Sequence, residues 1–118
     1  DGHAEETALR EAGEEIGLDS RRVETIGRLD RYLTRTGFAI TPVVALLAPP
    51  LGLICDPREV AEVFEVPLSF ILDPANHQRH RRQLKGASRE FFAIPYGDYF
   101  IWGATAGMLI NLYEVLAS

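Results

Sequence analysis

Three carboxylates crowd one short stretch, ALREAGEEIGLD at residues 8–19. Glu11, Glu14 and Glu15 stand within five positions, and Arg10 precedes them. On a helix, Glu11 and Glu15 form a like-charge i, i+4 pair, which weakens an isolated helix by roughly 0.2–0.5 kcal/mol. A carboxylate set against apolar surface is worse placed unless it is paired or bound to metal. A divalent cation offsets both effects. Hard Mg²⁺ or Mn²⁺ suits an all-oxygen donor set without histidine or thiolate. Arg10 has the planar fork to brace one of these carboxylates. The plainer reading, an acidic pair on a solvated face, accommodates Glu14 and leaves Glu15 unexplained.

These residues need a helix to position them. Residues 4–16 are rich in Ala, Leu, Glu and Arg, with no proline, so the segment predicts a helix. At about 100° per residue, Ala8, Leu9, Ala12 and Ile16 gather on one side. Glu15 falls between Ala4 and Ala8, Glu11 lies about 40° further round, and Glu14 about 60° beyond that. Gly17 reads as the residue that closes the helix in a left-handed conformation, and Leu18 as the apolar contact after it.

The remaining chain predicts strands and one more long helix. Residues 23–29 and 32–36 read as strands. The apolar segment 37–48 reads as a buried strand interrupted or edged at Pro42. Residues 59–66 alternate, with Val60, Glu62, Phe64 and Val66 on one parity, which is a strand signal with one charged intruder. Residues 67–73 open a short helix. The polar, basic run 76–89 reads as loop, 90–95 as strand, and 96–99 as a turn leading to a final helix over 102–116. Tyr99, Phe100 and Trp102 read as core or helix-packing residues. Gly103, Ala104, Ala106 and Gly107 allow close packing of that helix on a sheet. The class is mixed α/β.

Bulk properties set limits. The 118 residues predict one domain or part of one. A net charge of -5 argues against a general nucleic-acid binder, which needs a basic face. The single cysteine, Cys55, excludes an internal disulfide framework and favours a reducing, cytoplasmic setting. No apolar run approaches the roughly 20 residues of a membrane span. The chain opens on Asp1-Gly2-His3 without an initiator methionine and reads as though it begins inside a domain.

The string REAGEEIGL (10–18) resembles the second half of the Nudix box, Arg-Glu-aliphatic-x-Glu-Glu-x-Gly-aliphatic. Arg10, Glu11, Ala12, Glu14, Glu15, Gly17 and Leu18 fill its defined positions, with Ala12 small for its slot. Stretches at 1–18, 23–47, 59–76 and 101–109 are similar to one branch of that family, the coenzyme A pyrophosphatase-like hydrolases. The resemblance implies an α/β/α sandwich around a mixed β-sheet. Residues 1–118 would form the C-terminal two-thirds of a single Nudix domain, with its N-terminal strands missing. The front half of the box is absent: Gly2 stands in the slot of its glutamate, and Asp1 fits the one-residue longer loop of the CoA branch.

The resemblance also implies roles. Glu11, Glu14 and Glu15 would carry Mg²⁺ or Mn²⁺, and Arg10 would orient a ligand carboxylate. Glu11, Glu15, Arg10 and Glu62 form the expected catalytic set. Glu59 and Glu62 are the candidates for a base or further ligand from outside the box. The basic run, with His77, Arg79, His80, Arg81, Arg82 and Lys85, would meet substrate phosphates or stay a solvated loop. His3, His77 and His80 are weak candidates as metal ligands. The expected activity is hydrolysis of the diphosphate of coenzyme A or its thioesters. Alternatives are another nucleoside diphosphate derivative, such as ADP-ribose or NADH, and a non-catalytic nucleotide-binding module. The expected partner is a small CoA-like molecule, with no nucleic acid and no membrane; a second copy of the chain is the candidate homodimer partner.

Overall fold

A computed structural model of the chain describes residues 3–34, 36–49, 52–58, 60 and 62–118. It divides into two compact units, one of residues 1–28 and 41–65, the other of residues 29–40 and 66–118.

In the first unit, helix α1 (His3–Ile16) is followed by a turn of 3-10 helix and strand β1 (Val23–Arg28). Asp19 caps that turn, accepting from the Arg21 backbone N–H at 3.0 Å. Strand β1 pairs antiparallel with β4 (Val43–Leu47), and the register slips between Thr25 and Gly27. The expected strand over 37–48 is thus divided. Its first part, β3 (Ala39–Ile40), pairs with β2 (Tyr32–Leu33) in the second unit. The break falls at Thr41 and Pro42, and proline has no N–H to give a ladder. The strand is not buried either: Leu46 and Leu47 are exposed. The strand expected over 59–66 does not form among the described residues of that segment, residues 60 and 62–66. Alternation suits a strand only where a partner edge completes the ladder. Glu59 and Asp1 lie outside the described residues.

In the second unit, the expected short helix is α2 (Leu68–Ile71). The run expected to be loop is strand β5 (Gln78–Leu84), hairpinned to β6 (Ala87–Tyr96). Lys85 and Gly86 make the turn with φ of 50° and 77°, and two positive φ values mark the hairpin turn that matches strand twist. Residues 97–98 then connect β6 to β7 (Tyr99–Trp102), so that turn joins two strands and not a strand and a helix. Helix α3 (Gly103–Ala117) closes the chain.

The core of this unit is small. Ile71, Ile94 and Ala106 are buried together, with Phe70, Phe92, Ile101 and Leu109 packed around them. The small residues of α3 serve the close approach expected of them: Ala106 and Gly107 are buried. The other expectation for this region fails for Phe100 and Trp102, while Tyr99 is half-buried. Phe100 and Trp102 are 51% and 53% exposed, because strand alternation sends them to the sheet face opposite Ile94 and Ile101. Every strand pairing among the described residues is antiparallel. The α/β class is as the sequence predicts.

Candidate functional site

Helix α1 holds its carboxylates in place without burying any residue. Its ends are fixed by polar bonds. Near the N-terminus, Arg28 of β1 reaches back to Glu5 through two hydrogen bonds. Nε donates to Oε2 at 2.7 Å and a terminal nitrogen donates to Oε1 at 2.8 Å. Bidentate forks of this kind are the strong form of the ion pair. The Arg28 hydrogen bond is the main cause that lowers the Glu5 carboxyl to about 2.

At the C-terminus, Gly17 takes φ +68°, and its N–H donates to the Gly13 carbonyl at 3.1 Å. That is the left-handed helix cap expected of this glycine. The segment beyond β4 then runs beside the cap. The Ile54 N–H donates to the Ile16 carbonyl at 2.9 Å and the Asp56 N–H to the Glu15 carbonyl at 2.7 Å. Carbonyls that a helix end leaves unpaired are thereby satisfied. A side chain at residue 17 would meet the Ile54 backbone at 3.3 Å, so the closeness of this segment needs glycine there.

Of the predicted ligands, Glu11 and Glu14 are exposed and Glu15 is half-buried, in line with the position of Glu15 at the apolar edge of the wheel. Arg10 approaches Glu11 only to 4.0 Å, beyond hydrogen-bond range, so no fork braces the glutamates. Glu11 lines an open cleft of about 410 Å³ with His3, Ala4, Thr7, Ala8 and Thr41. Glu14 and Glu15 are not among its lining residues. Glu62 belongs to the same compact unit and is exposed on irregular backbone, not on the strand that was to aim it inward.

Among the described residues, no three His, Cys, Asp or Glu side chains are gathered into a group that would hold a metal ion. The donor chemistry nevertheless fits a hard cation. Mg²⁺ keeps several waters and is commonly held by one or two carboxylates with substrate phosphates, and this helix offers carboxylates in an open, hydrated setting. His77 and His80 are committed elsewhere. His77 Nε2 bonds the Ile71 carbonyl at 2.7 Å, and His80 stacks on Phe91 with ring centres 5.3 Å apart.

Three residues that help build this surface escaped the sequence reading. Thr7 and Thr41 line the cleft, and Glu5 anchors the helix. Glu5 and Arg28 lie 23 residues apart, a separation with no local signature. No helix among the described residues is long and apolar enough to cross a membrane.

The chain is similar to several bacterial proteins named "uncharacterized Nudix hydrolase NudL". It is 37% identical over 108 residues to the one from Photorhabdus laumondii, covering 92% of this chain and 58% of the relative. Against that of an Enterobacter species it is 40% identical over 105 residues, 89% of the chain and 55% of the relative. The Escherichia coli protein is 37% identical over 112 residues, 95% of the chain and 58% of the relative. The chain therefore spans a little over half the length of these curated relatives. No family model matches it.

Proposed function

Because the chain belongs to the Nudix hydrolase family, we propose that it carries the carboxylate helix of a metal-dependent pyrophosphohydrolase acting on coenzyme A or its thioesters. The products would be 3′,5′-ADP and phosphopantetheine or its acyl form. One observation carries the reading: the box residues of REAGEEIGL lie on a helix with a formed Gly17 cap, and Glu11 opens onto a cleft. The CoA branch rests on the stretches at 23–47, 59–76 and 101–109 that resemble it. The single-domain assignment of residues 1–118 and a homodimeric assembly belong to the same proposal. So does a cytoplasmic location, which the free, half-buried Cys55 suits.

In this reading Glu11, Glu14 and Glu15 hold Mg²⁺ or Mn²⁺. Such a cation neutralises the charge of the two phosphates and acidifies water near it. The chain's own residues do the remaining work. Glu11 directs its carboxylate at the diphosphate from the cleft wall. Glu14 and Glu15, one turn on, supply further oxygen donors. Arg10, exposed and without a close fork, turns to a carboxylate when the site fills. Glu62 takes the proton of the attacking water, which needs only an exposed carboxylate within reach of the diphosphate.

The test is hydrolysis of CoA by the full-length protein with Mg²⁺ or Mn²⁺, beside ADP-ribose and NADH, with Glu15→Gln as control. CoA turnover lost in the variant supports both chemistry and branch. Turnover of only another diphosphate, also lost in the variant, keeps the chemistry and removes CoA. No metal-dependent turnover of any of them leaves a nucleotide-binding module.

A further inference from the structure

We propose that Arg82 and Arg89 form a phosphomonoester-binding pocket within the second compact unit. The register of β5 and β6 sets these two arginines directly opposite one another. Side chains so placed stand about 4.5–5.5 Å apart at Cβ, and like charges there are destabilising. The neighbouring cross-strand pair shows the contrast. Arg81 faces Glu90 and donates to its carboxylate at 2.9 Å. Alternation puts that pair on the other face of the hairpin. Among the described residues, neither Arg82 nor Arg89 has an ion-pair partner. Two cations are thus paired with each other where an anion would relieve them.

The space for that anion exists. A cavity of about 250 Å³ is lined by Arg82, Arg89, Tyr32, Phe91, Gly103 and Glu90. Glu90 does not supply the missing charge, since its carboxyl is lowered chiefly by the Arg81 hydrogen bond and next by the charges of Arg79 and Arg81. The volume falls just below the roughly 300–1,000 Å³ of pockets for drug-sized ligands. It suits a phosphoryl group and the ring attached to it, not a whole dinucleotide. Charge selects among anions. A phosphomonoester carries about −1.5 to −2 at pH 7 and matches two guanidinium forks. A diester or a carboxylate carries one charge and leaves one arginine uncompensated. The aromatic walls, Tyr32 and Phe91, favour an ester bearing a ring.

This inference uses only side chains of the second unit and does not depend on the hydrolase reading. It is tested by calorimetric titration of the full-length protein, in chelator, with adenosine monophosphate, inorganic phosphate and adenosine. Adenosine monophosphate should bind saturably, and Arg82→Gln and Arg89→Gln should each weaken it at least ten-fold. Arg21→Gln, in the first unit, should change it less than two-fold. Arg82→Lys and Arg89→Lys keep the charge without the fork, give intermediate affinity, and serve where a glutamine variant fails to fold. Inorganic phosphate bound with the same arginine dependence assigns a free phosphate as an occupant. Binding of the nucleotide alone assigns the ester. Adenosine binding as tightly as its phosphate overturns the proposal. So does wild-type affinity in both glutamine variants, or equal weakening by Arg21→Gln.

Discussion

Replacing Gly17 with alanine tests how the carboxylate helix is closed. The native φ is +68°, where an L-residue is disfavoured by roughly 1–2 kcal/mol. The new Cβ would also lie 3.3 Å from both the nitrogen and the oxygen of Ile54. That backbone is not free to withdraw, because Ile54 N–H is bonded to Ile16 at 2.9 Å and Asp56 N–H to Glu15 at 2.7 Å. Weakening one such bond removes about 0.5–1.5 kcal/mol. The reduced freedom of the unfolded alanine chain does not offset this where φ is positive. We expect a net loss of about 2 kcal/mol, or roughly 8 °C in Tm for a protein of this size.

Gly17→Asn separates the two causes. Asparagine keeps the Cβ but tolerates the left-handed region, so it should recover about 1 kcal/mol of the loss. Urea melts of the three proteins give the comparison. If alanine lies within about 0.5 kcal/mol of glycine, inside the range of an unremarkable surface change, the cap is not formed and the reasoning fails. If asparagine is as harmful as alanine, crowding dominates over strain. The last turn of α1 carries Glu14 and Glu15, so under the proposed function Gly17→Ala should also raise the Mg²⁺ concentration needed for half-maximal hydrolysis.

Four other substitutions have definite expected outcomes. Gly107→Ala adds a methyl 2.7 Å from the Tyr32 ring; overpacking of about 1–3 kcal/mol exceeds the helix gain of about 1 kcal/mol, so Tm should fall and Tyr32→Ala in the same background should restore it. The Arg28 fork holds the Glu5 carboxyl down at about 2, below the ordinary glutamate range, so it adds stability above the unfolded value that fades as pH falls through that window. The Tm gap between wild type and Arg28→Gln should therefore be full at pH 6 and shrink towards pH 2 in a pH-series melt. Lys85→Asn places the residue that favours positive φ before Gly86 and should raise stability by about 0.5 kcal/mol in urea. Glu11→Gln should remove most of any Mn²⁺-induced rise in Tm of the substrate-free protein, while Glu24→Gln on β1 should leave that rise unchanged.

What could be read from the sequence depended on how local the cause was. α1 and its cap were legible because a helical period and a glycine act over a few residues, and α3 for the same reason. Strand β5 was not, because its residues, QRHRRQL, carry almost no apolar alternation. The usable signal lay in the two-residue Lys-Gly turn between extended stretches. The alternation at 59–66 misled in the opposite direction, since a strand needs an edge to pair with and alternation does not say that one is near. The carboxylates proposed as ligands were legible by type, and their spacing placed them on one helix, as α1 has them. The cleft beside Glu11, with Thr7 and Thr41, depends on residues far apart in sequence.

The way α1 is held bears on what its glutamates can do. A helix fixed by burial would desolvate carboxylates on its inner edge and raise the energy of their charged form. Here no residue of α1 is buried, and the helix is fixed at its ends. Arg28 grips Glu5 near one, and the backbone of Ile54 and Asp56 bonds the other. Glu11 and Glu14 consequently keep water around them, which suits Mg²⁺, an ion that retains part of its own hydration when bound. The same arrangement makes these polar bonds, beside the half-buried Leu9, Ala12 and Ile16, part of what holds the helix. Loosening either end should therefore affect metal response before it affects the core around Ile94, which belongs to the other unit. Hydrogen exchange can check this order: in Arg28→Gln the amides of α1 should lose protection while those of Ala93 and Ile94 keep theirs.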